Sequence, residues 1–405
     1  MKRLLIILAS VIVLLGIGVG VYFYFFADKG SSLVVTDNPF SSAENIAGSE
    51  IVSGSVESPT NAGTEVAPRL IKISNGPVSL GISARNIVAS SSIQEAGSTT
   101  PSVSDVSVRY IERASGNIYE YLAHKRSLSR ISNKTLPGIQ NATWLSNGSL
   151  AFVQFLTKET GSEYVATYML PVSGDGGKFF EQNLEEVRVA GTSTILTLLS
   201  GTTGSVATLS KTDGTGARTL FSSVLSSLKV YTPRPDTFFA STKASLVLDG
   251  YGFQIGKTGG FTRILGPYRG LSILPSPSGK SVLYSYTEAG TYRLQVLDVA
   301  THTAITLPVA TLVEKCVWSN DNLTVYCGVP TNFVGKLPDD WYQGSLSFAD
   351  RIWKIDMTAR IASLVIDPSE VGKVSLDAVS LTMDPSGDML VFIDRITGSL
   401  WAYDL

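Results

Sequence analysis

Tyr110-Ile-Glu-Arg-Ala-Ser-Gly-Asn-Ile-Tyr-Glu-Tyr121 aligns without a gap on Phe392-Ile-Asp-Arg-Ile-Thr-Gly-Ser-Leu-Trp-Ala-Tyr403, far downstream in the same chain. Each copy reads as two strands joined by a Gly-containing turn, with an aromatic at the same place in the second strand. Further copies of that second strand occur at Ile352-Trp-Lys-Ile-Asp356 and Leu294-Gln-Val-Leu-Asp298. A second unit, an apolar strand entering and leaving a tight turn, recurs at Trp144-Leu-Ser-Asn-Gly148, Pro275-Ser-Pro-Ser-Gly279, Trp318-Ser-Asn-Asp-Asn322 and Met383-Asp-Pro-Ser-Gly387. The spacings are 131, 43 and 65 residues. The first is about three periods of 43–44, with Val187 and Tyr231 near the missing positions; the last is one period plus an extra loop. A four-stranded unit repeating at about that length is what a propeller blade requires.

Ring closure is also legible. Arg69-Leu-Ile-Lys-Ile-Ser-Asn75 resembles Leu128-Ser-Arg-Ile-Ser-Asn133, the outermost strand of the first unit, while the last unit stops one strand short at Leu405. Residues 69–74 are therefore expected to complete the last blade. The expected fold is an all-β, seven-bladed β-propeller over residues 69–405, with six or eight blades as alternatives. Residues 187–260 fit the repeat least well.

Upstream, Lys2-Arg3 precedes an unbroken apolar stretch of 23 residues, Leu4 to Phe26. As a helix it is roughly 34 Å long, enough to cross a bilayer. No small-residue cleavage site precedes Asp28, and the paired cations place the amino terminus in the cytoplasm. Residues 1–27 are read as a cytoplasmic tip and transmembrane anchor at the bacterial cytoplasmic membrane, with the propeller outside. Residues 28–68 carry Ser, Gly, Asn, Thr and Glu but no apolar period, and from Gly30 to Pro68 no Lys or Arg. They read as a flexible linker with a typical reach of roughly 35 Å.

The chain has 405 residues with 44% hydrophobic and only 16% charged, so a large core is expected and whole-chain disorder is not. Net charge is −2 and no basic run is visible, which argues against nucleic-acid binding. No glycine-rich phosphate loop opens a helix, so no nucleotide or other cofactor is expected. His124 and His302, the two histidines of the sequence, have no partner at metal-ligand spacing and each falls in a turn between a third and a fourth strand. No G-x-S-x-G elbow exists for a serine hydrolase. The alternative to a binding role is a propeller-type glycoside hydrolase, which needs two carboxylates across a cleft. Asp339-Asp340 is an adjacent acidic pair, and adjacent aspartates on a loop fit a solvated turn better than a dyad.

Two local features remain. Counting back equally from the Asp321-Asn322 turn places Cys316 opposite Cys327, facing across adjacent strands, where an extracytoplasmic pair should be oxidised to a disulfide. The insertion Pro330 to Leu346 carries Asp339, Asp340, Trp341 and Tyr342 on the rim shared with the inter-blade connections. It is a candidate partner-binding loop, Trp and Tyr offering contact area with a polar handle. A second placement is equally open, in which Trp341 folds back as a lid on its own blade.

These units resemble the repeats of the periplasmic Tol-system propeller. Arg109 to Tyr119, the Ile-Ser-Asn strand ends, Leu337-Pro-Asp-Asp-Trp-Tyr-Gln-Gly344 and Ser347-Phe-Ala-Asp-Arg-Ile-Trp353 together resemble a family of membrane-anchored proteins of small-genome candidate-phylum bacteria. The first likeness implies only the fold, and the second an anchored propeller with no particular activity. A membrane-tethered binding or scaffold role in the cell envelope, toward a protein or glycan, is the expectation that follows.

Overall fold

Asp384 shows why the recurring turns form where they do. Its carboxylate accepts hydrogen bonds from the backbone N–H groups of Ser386, Asp388 and Met389, so the side chain supplies what the backbone cannot at a sharp reversal. Asp298 and Asp356 do the same in other units, capping Ala300 and Thr301, and Thr358 and Ala359. Between such turns the β-branched and aromatic runs form short antiparallel strands. A computed structural model describes residues 69–88, 104–159, 161–333 and 335–405. The expected anchor and linker lie outside these. Among the described residues no helix is long and apolar enough to cross a membrane.

The chain begins with β1 (Leu70–Lys72) and then builds sheets in sequence. The first contains β2 (Ser83–Val88), β3 (Ser104–Ile111), β4 (Ile118–Leu122) and β5 (Ser127–Arg130). The second contains β6 (Ile139–Trp144), β7 (Leu150–Glu159), β8 (Ser162–Pro171) and β9 (Lys178–Phe179). The third contains β10 (Leu184–Val189), β11 (Thr194–Gly201), β12 (Gly204–Lys211) and β13 (Arg218–Ser223). A seven-stranded sheet follows, from β14 (Leu228–Arg234), β15 (Thr237–Thr242) and β16 (Asp249–Ile255) through β17 (Phe261–Pro275). It ends with β18 (Ser281–Glu288), β19 (Thr291–Asp298) and β20 (Ala304–Thr306). Then come β21 (Cys316–Trp318), β22 (Thr324–Pro330), β23 (Asp350–Asp356) and β24 (Ile361–Ile366). The last sheet holds β25 (Ala378–Met383), β26 (Met389–Asp394) and β27 (Leu400–Asp404), and its fourth strand is β1. Two single-turn helices, α1 (Asp339–Tyr342) and α2 (Pro368–Val371), lie in connections.

β1 pairs antiparallel with β27, Leu70 opposite Tyr403 and Lys72 opposite Trp401. Leu70 and Ile73 are buried, and the Arg69 guanidinium lies 4.8 Å from the Tyr403 ring. The first and last parts of the domain are thus joined edge to edge, which removes two open strand edges.

β17 explains the weak repeat in the middle of the chain. Its first part pairs with β16 (Phe261 opposite Ile255) and its second with β18 (Ile273 opposite Tyr284). One strand thus ends one unit and begins the next with no turn between. The change of partner occurs around Gly266 and Gly270, both at positive φ (100° and 66°). A Cβ at Gly266 would lie 2.3 Å from the Gly250 carbonyl oxygen, so no larger residue fits without backbone movement.

The core lies between facing sheets. Leu196, Leu198 and Ala207 of one sheet share a buried cluster with Val230, Phe238 and Ala240 of the next. β26, covered on both faces, is buried along its whole length, which is why Met-Leu-Val-Phe-Ile shows no alternation.

Cys316 and Cys327 are directly opposite in register and joined by a disulfide. The chain-entropy model for so short a loop gives about 2–3 kcal/mol. Reduction should therefore lower the unfolding free energy by that amount. Denaturant midpoints with and without reductant measure it, and two reactive thiols in denatured, unreduced protein would contradict it.

Candidate functional site

The first strands of successive sheets converge on a shared channel. A cavity of about 630 Å³ is lined from β6, β10, β14, β17, β21 and β25, by Asn141, Glu186, Lys229, Ile273, Cys316 and Leu381 among others. A second cavity of about 730 Å³ shares Leu80, Asn141, Val379 and Arg395 with it, and opens beside Arg113, Phe155 and Leu156. This is the end of the channel where the first strands begin.

At that end the β22–β23 insertion folds inward over neighbouring connections. Asp339 Oδ2 accepts from the Leu246 N–H (2.7 Å), and the Leu337 carbonyl accepts from the Thr287 hydroxyl (3.2 Å). Asp340 Oδ2 accepts from the Lys336 N–H at 2.7 Å, within the insertion itself. Asp340 thus caps its own turn, while Asp339 ties the insertion to the β15–β16 connection. Trp341 is only 5% exposed, so its ring offers no contact area to a partner. Of the two placements open from the sequence, the structure shows the inward one. The physical reason is that the indole has a hydrogen-bond acceptor waiting below it: Nε1 donates to Asp377 Oδ2 at 3.1 Å. The Arg395 guanidinium stacks 4.7 Å from the ring and donates to the Trp341 carbonyl, closing the other side.

Tyr342, the neighbour, reaches into the channel. Glu314 Oε1 accepts from the Tyr342 hydroxyl, from Ser272 Oγ (2.9 Å) and from Lys229 Nζ (3.4 Å). Burial pushes the Glu314 carboxyl up, but the Lys229 ammonium and these hydrogen bonds outweigh it and hold it below its usual range. Burial, and then the Glu314 charge, push the Tyr342 phenol well above its usual value. Glu186 is occupied by Arg188 (3.3 Å) and by the Val230 N–H (3.0 Å). The channel wall thus carries charges that are ion-paired, Glu186 with Arg188 and Glu314 with Lys229. Glu314, held low in this way, is not the raised-pKa acid that glycoside hydrolysis needs.

Beneath Trp341 lies a cluster the sequence did not reveal. Lys315 ends a 3-10 turn, Val313–Lys315, and is fully buried at 0% exposure. Its ammonium lies 2.7 Å from Asp350 Oδ2 and in direct contact with Asp377 Oδ1. The rings of Trp341 and Phe348 each lie 5.3 Å from Lys315 Nζ. Asp377 Oδ2 also accepts from the Phe348 N–H at 3.1 Å, and Asp350 Oδ2 from the Ala378 N–H at 2.7 Å. Asp350 Oδ1 has no hydrogen-bond partner. Burial pushes the Asp350 carboxyl up to about 6, against the opposing pull of Lys315. Lys315, Asp350 and Asp377 are 35 and 27 positions apart and each sits at the edge of a connection, so no local spacing announces them.

Antiparallel sheets set around one channel, with an amino-terminal strand closing the last of them, decide the architecture. The domain is a β-propeller. No protein-family model matches the sequence, and no curated protein matches it. Solved structures do resemble the propeller. Oligogalacturonate lyase from Vibrio parahaemolyticus aligns at TM-score 0.53 and 8% identity, over 84% of this chain and 94% of that one. An oligogalacturonate lyase in complex with manganese aligns at 0.52 and 9%, over 84% and 98%. TolB from Acinetobacter baumannii aligns at 0.42 and 13%, over 62% and 59%, too distant to support an inference. At these identities the likeness speaks to the fold alone. Among the described residues no group of His, Cys, Asp and Glu could hold a metal ion. His124 and His302 both lie in turns at the end of the propeller opposite the insertion.

Proposed function

We propose that this chain is a membrane-tethered, extracytoplasmic binding or scaffold propeller of the cell envelope, with seven blades, that engages a protein or glycan through the rim carrying the insertion. The blade count follows from dividing the seven-stranded sheet at β17, which serves as the outermost strand of one blade and the innermost of the next. The observation that carries the functional reading is an asymmetry of exposed apolar side chains. Leu156, Val224, Val247 and Leu248 are 59%, 88%, 78% and 68% exposed, and all lie in or beside connections at the insertion end. Leu80 and Ile396 add to the same rim. Exposed apolar groups gathered on one face favour association, since burying them there removes them from water. The chain enters β1 from the opposite end, where the Asp404 N–H donates to the Arg69 carbonyl. The ion-paired glutamates of the channel favour binding over the alternative of a glycoside hydrolase.

Site-specific photo-crosslinking of the full chain in its native membrane tests this. A probe at Leu156 or Val247 should form a discrete adduct, whereas one at Leu323, in the β21–β22 turn of the opposite end, should not. Adducts from Leu323 alone, or equally from all three positions, would overturn the assignment of the rim.

A further inference from the structure

The Lys315 cluster has no part in the binding reading, and its chemistry is unusual for a passive core. An ammonium and two carboxylates are held away from the surface, at 0% side-chain exposure, beneath two aromatic rings, an arrangement whose desolvation opposes its own charges. Such a pair has a neutral alternative, because an ammonium and a carboxylate that lose water become an amide. We propose that Lys315 and Asp377 condense to an intramolecular isopeptide bond, with Asp350 relaying the proton.

The geometry supplies each requirement. Lys315 Nζ is in contact with Asp377 Oδ1 and therefore beside Cγ, so attack is unimolecular and needs no search. Asp377 Oδ2, where negative charge gathers as Cγ becomes tetrahedral, already accepts from the Trp341 indole N–H and the Phe348 backbone N–H, both at 3.1 Å. These are preorganised donors of the kind that stabilise an oxyanion. Asp350 Oδ2, 2.7 Å from Nζ, takes a proton from the ammonium and frees the lone pair. The bond from Nζ to Cγ forms, the bond from Cγ to Oδ1 breaks, and Oδ1 departs with two of the three ammonium protons as water. One of these protons travels by way of Asp350. Oδ2 remains as the amide carbonyl and the third proton stays on nitrogen, so atoms and charge balance with no oxidant or co-reactant. Asp350 suits the relay because burial raises its carboxyl to about 6 and its Oδ1 meets no other partner, so a proton resides there readily near neutral pH. Two further charged groups face the cluster: Arg395, 3.9 Å from Asp377 Oδ2, adds to the stabilisation of that oxygen, and Asp394 accepts from the Asp377 backbone N–H at 3.0 Å.

The bond would join the start of β21 to the residue before β25, linking two neighbouring blades at the covered part of the channel. Intact-mass measurement of the reduced full chain tests it. The wild-type protein should be lighter than its sequence by one water. Digestion should yield a branched peptide joining the Lys315 and Asp377 segments, with no cleavage after Lys315 by a lysine-specific protease. Asp350→Asn should restore the full mass and the cleavage. A wild-type chain of full mass, cleaved after Lys315, overturns the bond whether or not any variant folds. A branch to Asp350 overturns the choice of acceptor, and an Asp350→Asn protein still one water light overturns the relay.

Discussion

A chain shortened to begin at Gly76 should lose most of the stability of the propeller. The deletion removes Leu70 and Ile73 from the core, and buried aliphatic side chains of this size cost about 2–5 kcal/mol each when truncated. It also leaves the outer edge of β27 unpaired from Leu400 to Asp404. The combined loss, about 4 kcal/mol or more, is a large share of the 5–15 kcal/mol that a folded domain of ordinary stability possesses. Thermal or denaturant unfolding of the shortened protein against the parent measures it. An unchanged midpoint would show that the ring does not depend on this strand. A synthetic peptide spanning residues 69–75, added to the shortened protein, should restore part of the loss.

Trp341→Ala should destabilise the domain by about 3–5 kcal/mol, the range for deleting a buried large aromatic. Two effects add. The indole leaves a cavity above Lys315, and Asp377 Oδ2 loses a donor in a region closed to water. Trp341→Phe keeps most of the ring volume and drops only the N–H, so its loss should be smaller, about 1–3 kcal/mol. Equal losses in the two variants would mean that volume is irrelevant, and a loss below about 1 kcal/mol for alanine, the size expected of a surface change, would contradict the burial. Crosslinking from Leu156 in the folded fraction should persist in both, because Trp341 itself touches no partner in the proposed reading.

What was legible in the sequence and what was not divide along a physical line. The strand-turn repeat could be read because each turn carries its own chemistry: the Asp of Met383 to Gly387 caps the backbone of its own reversal, so local residues suffice. The Cys316–Cys327 register could be counted for the same reason, since a tight turn fixes which residues face each other. The amino-terminal strand resembled the outer strand of the first unit, and it lies on β27. The middle units were obscure because β17 replaces a loop by continuous strand, and the usual turn residues between units are absent there. Trp341 could not be placed from its loop alone, since its acceptor Asp377 is 36 positions away. The Lys315 cluster was invisible altogether. Its members look like ordinary charged residues near strand ends, and only the packing of three connections makes them partners.

The way the ring is closed has a mechanical consequence. β1 is both the entrance of the chain into the propeller and the fourth strand of its last sheet, so tension drawn through Arg69 falls on this seam before any other. β1 runs from the end where Arg69 enters toward the rim that carries the insertion. A load applied between Arg69 and that rim is directed along the strand. Interstrand hydrogen bonds lie perpendicular to the strands, so such a load shears them together instead of opening them one at a time. A sideways pull at Arg69 would instead peel Leu70, Ile71 and Lys72 from β27 in turn. The same three residues are thus a firm clasp under axial load and a weak one under lateral load.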